Sequence, residues 1–361
     1  MAAISPRRIR DYGFQPGTLP TGHRNDLTDV AGVMVGHRTV MDVNGGVLTG
    51  VTAIRPHAGN LYLERVPAGV YVGNGHGKLA GSTQVQELGE LESPIILVNT
   101  LSTGRAIEAV VDWTLEQPGC ERVTSVNAFV GETNDSPLND IRTRGISSED
   151  VLSAIRFAST EAVVQGNVGA GAGTKAFGLK GGIGSSSRCL PEACGGWLTG
   201  ALVQANFDGV LQLDGRQVGK KFDHFWRPEQ DGYGPAPAPG SIMIVLATDA
   251  PVSDRNLRRM AFRAMAGLAR SGANFSNSSG DYALAFSTHK EVRRCRDSSL
   301  TSVRREVSND AMSALFLAAI EVVEEAIYNA LVAAETIESG TESRSAMALL
   351  DFAPGLFRQS Q

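Results

Sequence analysis

The chain has 361 residues, 33 of them Lys or Arg and 38 Asp or Glu, for a formal charge of −5. With 42% hydrophobic and 20% charged residues it can build one large core or two intimate domains, and it is not a disordered chain. No dominant basic field is available to hold nucleic acid, and the 41 Gly and 15 Pro follow no triplet period.

Four cysteines, Cys120, Cys189, Cys194 and Cys295, are too sparse for a disulfide scaffold, and no His accompanies the Cys189/Cys194 pair to complete a zinc site. The N-terminus is basic, but no apolar segment follows it as in a secretory signal, and no apolar run is long enough to span a membrane. The expected address is cytoplasmic.

In chain order, residues 33–35 and 47–54 read as strands, followed by compact apolar runs of strand length at 69–73 and 94–98. Ile107, Val110, Val111 and Leu115 recur at helical spacing, which predicts a helix from Thr103, as N-cap, to Glu116. A strand is expected at 123–130 and a helix at 149–157, opened by Ser147 or Ser148. The Gly-rich stretch 166–187 predicts tight turns and close backbone approach. Strands follow near 198–205 and 209–213, then a polar Pro/Gly-rich connector at 215–240. A buried strand is expected at 242–248. A helix capped by Asp254 carries Leu257, Met260, Ala261, Ala264 and Leu268 on one face, and a short strand fills 283–287. A long helix from 310 to 335 turns Leu315, Ile320, Val323, Ile327 and Leu331 inward. Strands and helices without a regular βαβ rhythm predict layered α/β architecture rather than a barrel.

Most familiar chemistries fail on pattern. The Gly-rich stretch ends Gly-Thr-Lys, the reverse of a P-loop, and no strand–G-x-G-x-x-G–helix unit occurs. The six His form no ligand pair, and no G-x-S-x-G elbow presents a serine. Glu87, Glu90 and Glu92 read as a solvated acidic segment. The junction Gly240-Ser241 stands apart, because a polar connector runs into a buried strand whose first residue is a small nucleophile. Were that bond cut, Ser241 would carry an α-amine of pKa about 7.7–8.0, suited to act as its own general base. A plain loop running into a strand fits the same residues, so the junction alone leaves both readings open.

Segments along nearly the whole chain add a resemblance. They are TGHRNDLTDVAGVMVGH (21–37), TGVTAI (49–54), GNG (73–75) with KLAGST (78–83), GNVG (166–169) with KGGIG (180–184), GSIMIVLATDAP (240–251) and SGD (279–281). In order and spacing they resemble the self-processing β-peptidyl aminopeptidases and L-aminopeptidase/D-esterases. The resemblance implies a single α/β hydrolase domain over 1–361. Its fold would be a four-layer αββα sandwich, layered like N-terminal-nucleophile hydrolases but differently connected. It implies self-cleavage at Gly240–Ser241 into 1–240 and 241–361, and a tetramer of the cleaved heterodimers. Carried onto this sequence, Ser241 is the nucleophile, Ser279 and Asp281 the pair that orients it, Asn206 the oxyanion donor and Glu132 the anchor for the substrate's free amine. Asn134 stands where some relatives have an aromatic, and Phe207-Asp208-Gly209 also departs from the family's forms.

The activity implied is aminopeptidase action on short peptides, amino-acid amides or esters, through an acyl-enzyme and without metal or organic cofactor. An amidase acting on a pantetheine-like or oligoamide bond, or an aminoacyl transferase, would use the same residues. A non-catalytic binding homologue would have no need of Ser241, Asn206, Ser279 and Asp281 together.

Overall fold

A computed structural model describes residues 7–42, 45–221, 240–295, 300–338 and 344–357. Most of the connector, 222–239, lies outside the described residues.

From residue 34 the chain lays down the antiparallel pair β1 (Met34–Asp42) and β2 (Val47–Arg55), then the long β3 (Glu64–Gly75). Next come β4 (Leu79–Ala80), α1 (Ser82–Leu88), β5 (Glu90–Leu91), β6 (Ile95–Asn99), α2 (Thr103–Leu115), β7 (Phe129–Thr133) and α3 (Ser148–Arg156). A short pair, β8 (Lys175–Ala176) and β9 (Leu179–Lys180), leads into β10 (Gly182–Cys189), β11 (Leu198–Asn206) and β12 (Ser241–Thr248). The chain closes with α4 (Asp254–Arg270), β13 (Gly280–Ser287), β14 (Arg294–Cys295), α5 (Met312–Ala333) and α6 (Leu349–Phe352).

One sheet runs β1-β2-β6-β7-β4; the larger runs β10-β11-β12-β13-β3-β14, with β5 on β3. Period-two alternation stacks them. On β12, Ile242, Ile244 and Leu246 pack with α4 and α5, while Met243, Val245 and Ala247 face the other sheet's Ile54, Leu97 and Phe129. On β6, Ile95 and Leu97 point between the sheets, while Ile96 and Val98 join Ala106, Val110, Val151 and Ile155 of α2 and α3. Three apolar layers therefore separate helix, sheet, sheet and helix, giving the αββα sandwich. Each fully buried Val, Leu, Ile, Met or Phe side chain among these contributes roughly 1.5–3 kcal/mol of transfer free energy. Among the described residues no helix is long and apolar enough to cross a membrane.

Several local expectations change. The strand expected at 123–130 begins only at Phe129, because its parallel partner β6 begins at Ile95. Upstream, Asn127 N–H bonds Glu92 instead of a ladder. Residues 209–213 make only isolated bridges, since Leu213 and Arg216 close a turn over Asp214 and Gly215, both at positive φ. The N-cap of α2 is Ser102, and the Thr103 hydroxyl donates to Thr100. Asp254 is the first residue of α4 rather than its cap, and pairs with Arg294 at 2.6 Å. Glu92 is buried, held by Arg65 at 3.1 Å. Ile320 is half-buried rather than core. Within the Gly-rich stretch, 182–187 belong to strand β10. There Gly184 lets α5 lie directly on the sheet, since a Cβ would stand 1.9 Å from the Ala326 carbonyl oxygen.

A buried ionic network ties the N-terminal segment to α5. Arg188, fully buried, pairs with Glu321 at 3.0 Å and Glu325 at 2.7 Å, and Arg10 also pairs with Glu325 at 2.7 Å. Glu321 further accepts the Thr18 and Leu19 backbone N–H groups. These contacts satisfy charges that would otherwise be costly inside an apolar helix face.

Candidate active site

Strand register assembles the site at one end of the larger sheet. Asn206, the last residue of β11, lies opposite Ser241, the first of β12. Ser241 pairs in turn with Gly280 of β13, and Gly280 with Gly75 of β3. Strand ends free side chains from the core while the ladder holds their backbone, which suits a rigid reactive group.

Ser241 is buried. Its hydroxyl donates to the Gly240 carbonyl at 2.7 Å and accepts the Gly280 N–H at 3.2 Å. The same N–H reaches the Gly240 carbonyl oxygen at 3.2 Å. Gly280 owes its place to its missing side chain. A Cβ there would stand 2.8 Å from the Tyr282 ring, 2.9 Å from the His76 carbonyl oxygen and 3.3 Å from Ser241 Oγ. The Ser279 hydroxyl donates to Asp281 Oδ1 at 2.6 Å. Among the described residues Asp281 Oδ2 is buried without a hydrogen-bond partner, and burial, eased by the Ser279 hydroxyl, pushes this carboxyl up to about 6.

Asn206 is oriented at both ends of its amide. Oδ1 accepts the Lys175 N–H at 3.0 Å, and Nδ2 donates to the Asn134 carbonyl at 3.1 Å. Lys175 follows a turn held from beneath by buried Lys180, whose ammonium donates to the carbonyls of Gly171, Thr174 and Gly181 at 2.9–3.1 Å. Desolvation lowers the Lys180 ammonium to about 7.

Glu132 comes from the other sheet. Gly131 lets the sheets approach, since a Cβ there would meet the Met243 side chain at 2.3 Å. The Glu132 carboxylate is buried, accepts the Lys78 backbone N–H at 3.0 Å and pairs with the Lys78 ammonium at 3.3 Å. Tyr282 stands beside it. Burial first, then the charges of Glu132 and Asp281, raises the Tyr282 hydroxyl to about 12, so it is a neutral donor. A cleft of about 310 Å³ joins Ser241 to Glu132, with His76, Lys78, Thr100 and Asn134 on its walls.

Of the five side chains singled out in the sequence, Ser241 and Glu132 line the cleft; Asn206 lies opposite Ser241 in the ladder, and Ser279 and Asp281 flank Gly280, its other ladder partner. Sequence reasoning missed the Gly280 N–H, the Lys175 N–H and the Asn134 carbonyl, because backbone groups leave no residue signature. It also missed Lys78, which lay within a quoted segment, and the cleft position of His76. Among the described residues no group of three or more His, Cys, Asp or Glu is placed to hold a metal ion. His37, desolvated beside Thr52, is lowered to about 4 and lies outside the cleft lining.

A four-layer sandwich with a serine at the mouth of a central strand is similar in layering to the N-terminal-nucleophile hydrolases. The comparisons agree. The profile of peptidase family S58 matches residues 25–345. The beta-peptidyl aminopeptidase BapA of Sphingosinicella xenopeptidilytica is 36% identical over 95% of this chain and 89% of its own. A β-aminopeptidase of Burkholderia sp. superposes with a TM-score of 0.86 at 39% identity over 96% of both chains. The L-aminopeptidase D-Ala-esterase/amidase of Ochrobactrum anthropi, a serine aminopeptidase with a variant Ntn hydrolase fold, gives 0.86 at 34% identity over 98% of both. The chain belongs to peptidase family S58 and is a serine aminopeptidase.

Proposed function

We propose that this aminopeptidase first cuts itself between Gly240 and Ser241, giving pieces of 1–240 and 241–361, and then removes N-terminal β- or L-amino acids from short peptides, amides or esters. The carrying observation is the in-register meeting of Asn206, Ser241 and Gly280 at one sheet end, with buried Glu132 across the cleft.

In self-cleavage the Ser241 hydroxyl attacks the Gly240 carbonyl carbon. The C–N bond breaks, the Ser241 nitrogen takes the proton, and water hydrolyses the ester to leave a Gly240 carboxylate. The Gly280 N–H is placed to share charge on the Gly240 oxygen. The new amine is the nearest base to the hydroxyl, and the unpartnered Asp281 Oδ2 is suited to receive its ammonium form. In turnover, Glu132 holds the substrate's ammonium, the Ser241 hydroxyl gives its proton to its own α-amine as it attacks the amide carbon, Asn206 stabilises the oxyanion, and the C–N bond breaks as the leaving amine takes that proton. Water then releases the acyl group. Only an N-terminal residue offers that ammonium, which makes the reaction exopeptidic. The BapA and Burkholderia relatives support β-residue substrates, and the Ochrobactrum enzyme supports L-residues. The cleaved heterodimers are proposed to assemble as a tetramer, which light scattering tests.

Denaturing gels of the purified protein should show pieces of 240 and 121 residues (361 less 240), and Ser241→Ala one chain. Cleavage persisting at this bond in Ser241→Ala would sink the mechanism. Rates on β-alanyl, L-alanyl and D-alanyl amides then rank the substrates. Pantetheine-like amides test the amidase alternative, and added amines test acyl transfer.

A further inference from the structure

We propose that Lys78 is a specificity-determining residue. Its ammonium occupies the place on Glu132 that the substrate's ammonium takes, so every substrate binds by displacing it. The inference rests on the reading of Glu132 as the amine anchor.

Two different parts of Lys78 meet the same oxygen. Its backbone N–H donates to Glu132 Oε1 at 3.0 Å, and its Nζ stands 3.3 Å from that Oε1. The backbone contact is fixed from both directions. His76 N–H donates to the Ser279 carbonyl, and β4 follows at once, pairing Leu79 with Gly131 next to Glu132. Gly77 closes the loop tightly, since a Cβ there would lie 2.7 Å from Glu132 Oε1 and 3.0 Å from the Tyr282 hydroxyl. The Lys78 side chain is unlike this. It is 55% exposed, whereas that of Glu132 is 4% exposed. Its ammonium therefore reaches the buried carboxylate from the solvent side, and both residues line the cleft that holds Ser241.

The physical consequence follows from charge. A buried carboxylate without a partner is costly, and Lys78 removes that cost while the site is empty. A substrate ammonium arriving through the same opening meets a like charge already seated. The flexible, strongly hydrated Lys stem can yield to solvent at small cost. The backbone N–H stays behind and keeps the carboxylate aimed. Lys78 thus holds the anchor ionised and oriented, and weakens binding of every amine-bearing substrate by the strength of one half-exposed ion pair. Such pairs are worth little, which here means a factor of about two to five in KM.

The test uses the full-length processed enzyme with β-alanyl and L-alanyl p-nitroanilides and their acetyl-blocked forms. Lys78→Met keeps the backbone N–H and most of the stem, and should lower KM for the free-amine substrates about two- to five-fold, with kcat within about two-fold. Lys78→Arg keeps the charge and should retain the parental KM. In a Glu132→Gln background Lys78→Met should change nothing. If Glu132→Gln impairs only the free-amine substrates but Lys78→Met leaves KM unchanged or raises it, Lys78 is no competitor and the anchor stands. If Glu132→Gln treats free and blocked substrates alike, the anchor reading itself fails and takes this one with it.

Discussion

Replacing Asp281 by Asn in the Ser241→Ala chain, which the proposed mechanism leaves uncut, should make the protein more stable at neutral pH. Burial raises this carboxyl from 3.8 to about 6, and Oδ2 has no hydrogen-bond partner among the described residues. The folded state therefore binds the proton more tightly than the unfolded state. Stability from this group is fully present below pH about 4 and is lost as pH rises through about 6. At roughly 1.4 kcal/mol per pH unit, the charged form costs up to about 3 kcal/mol at pH 7. Asn keeps an acceptor for the Ser279 hydroxyl and carries no charge. Urea denaturation of the two variants from pH 4 to 8 should give nearly equal stabilities at pH 4 and a gap widening to at most about 3 kcal/mol in favour of Asn by pH 7. Asp135 and Asp208, also raised to about 6 by burial, are present in both chains and cancel. A gap that does not change with pH, or an Asn variant less stable at pH 7, would refute the reasoning. In the chain with Ser241 intact, the same substitution should slow turnover by about 10²-fold or more, because it removes the carboxylate proposed to receive the Ser241 ammonium. The residue would be kept for chemistry at a cost in stability.

Three further outcomes follow from the geometry. Asn206→Leu should lower kcat by on the order of 10²–10³ with little change in KM, measured on the p-nitroanilides, because it removes a side-chain donor oriented by Lys175 and Asn134. Gly280→Ala should block or greatly slow self-cleavage on gels, since its methyl would press on Tyr282, the His76 carbonyl oxygen and Ser241 Oγ; a fully processed Ala variant would show that the close approach is dispensable. Arg188→Met should cost about 3–5 kcal/mol in urea melts by leaving Glu321 and Glu325 short of a buried cation; a loss below about 1 kcal/mol would mean that Arg10 and the backbone donors suffice.

The sequence by itself determined the layers. A continuous apolar run such as 242–248 marks a strand buried on both faces, helical spacing such as that of Leu257, Met260, Ala261, Ala264 and Leu268 marks the buried side of a helix, and all of these residues are buried. Order and spacing of short motifs carried the family and placed Ser241, Ser279, Asp281, Asn206 and Glu132 as candidates. Where local pattern and environment disagreed, environment won. The run at 123–128 has strand composition but, among the described residues, no neighbouring strand to bond, and Glu92 looks solvated but meets Arg65 inside. Only the tertiary structure decided that Asn206, Ser241 and Gly280 stand in one row, because register between strands far apart in sequence is set by ladder geometry and core packing. It alone brought Glu132 across from the other sheet, since that distance depends on how closely Gly131 lets Met243 approach. Backbone donors such as the Gly280 N–H, and a place-holding charge such as Lys78, acquire meaning only from what they face. A sequence records which groups are present, and the fold decides which of them meet.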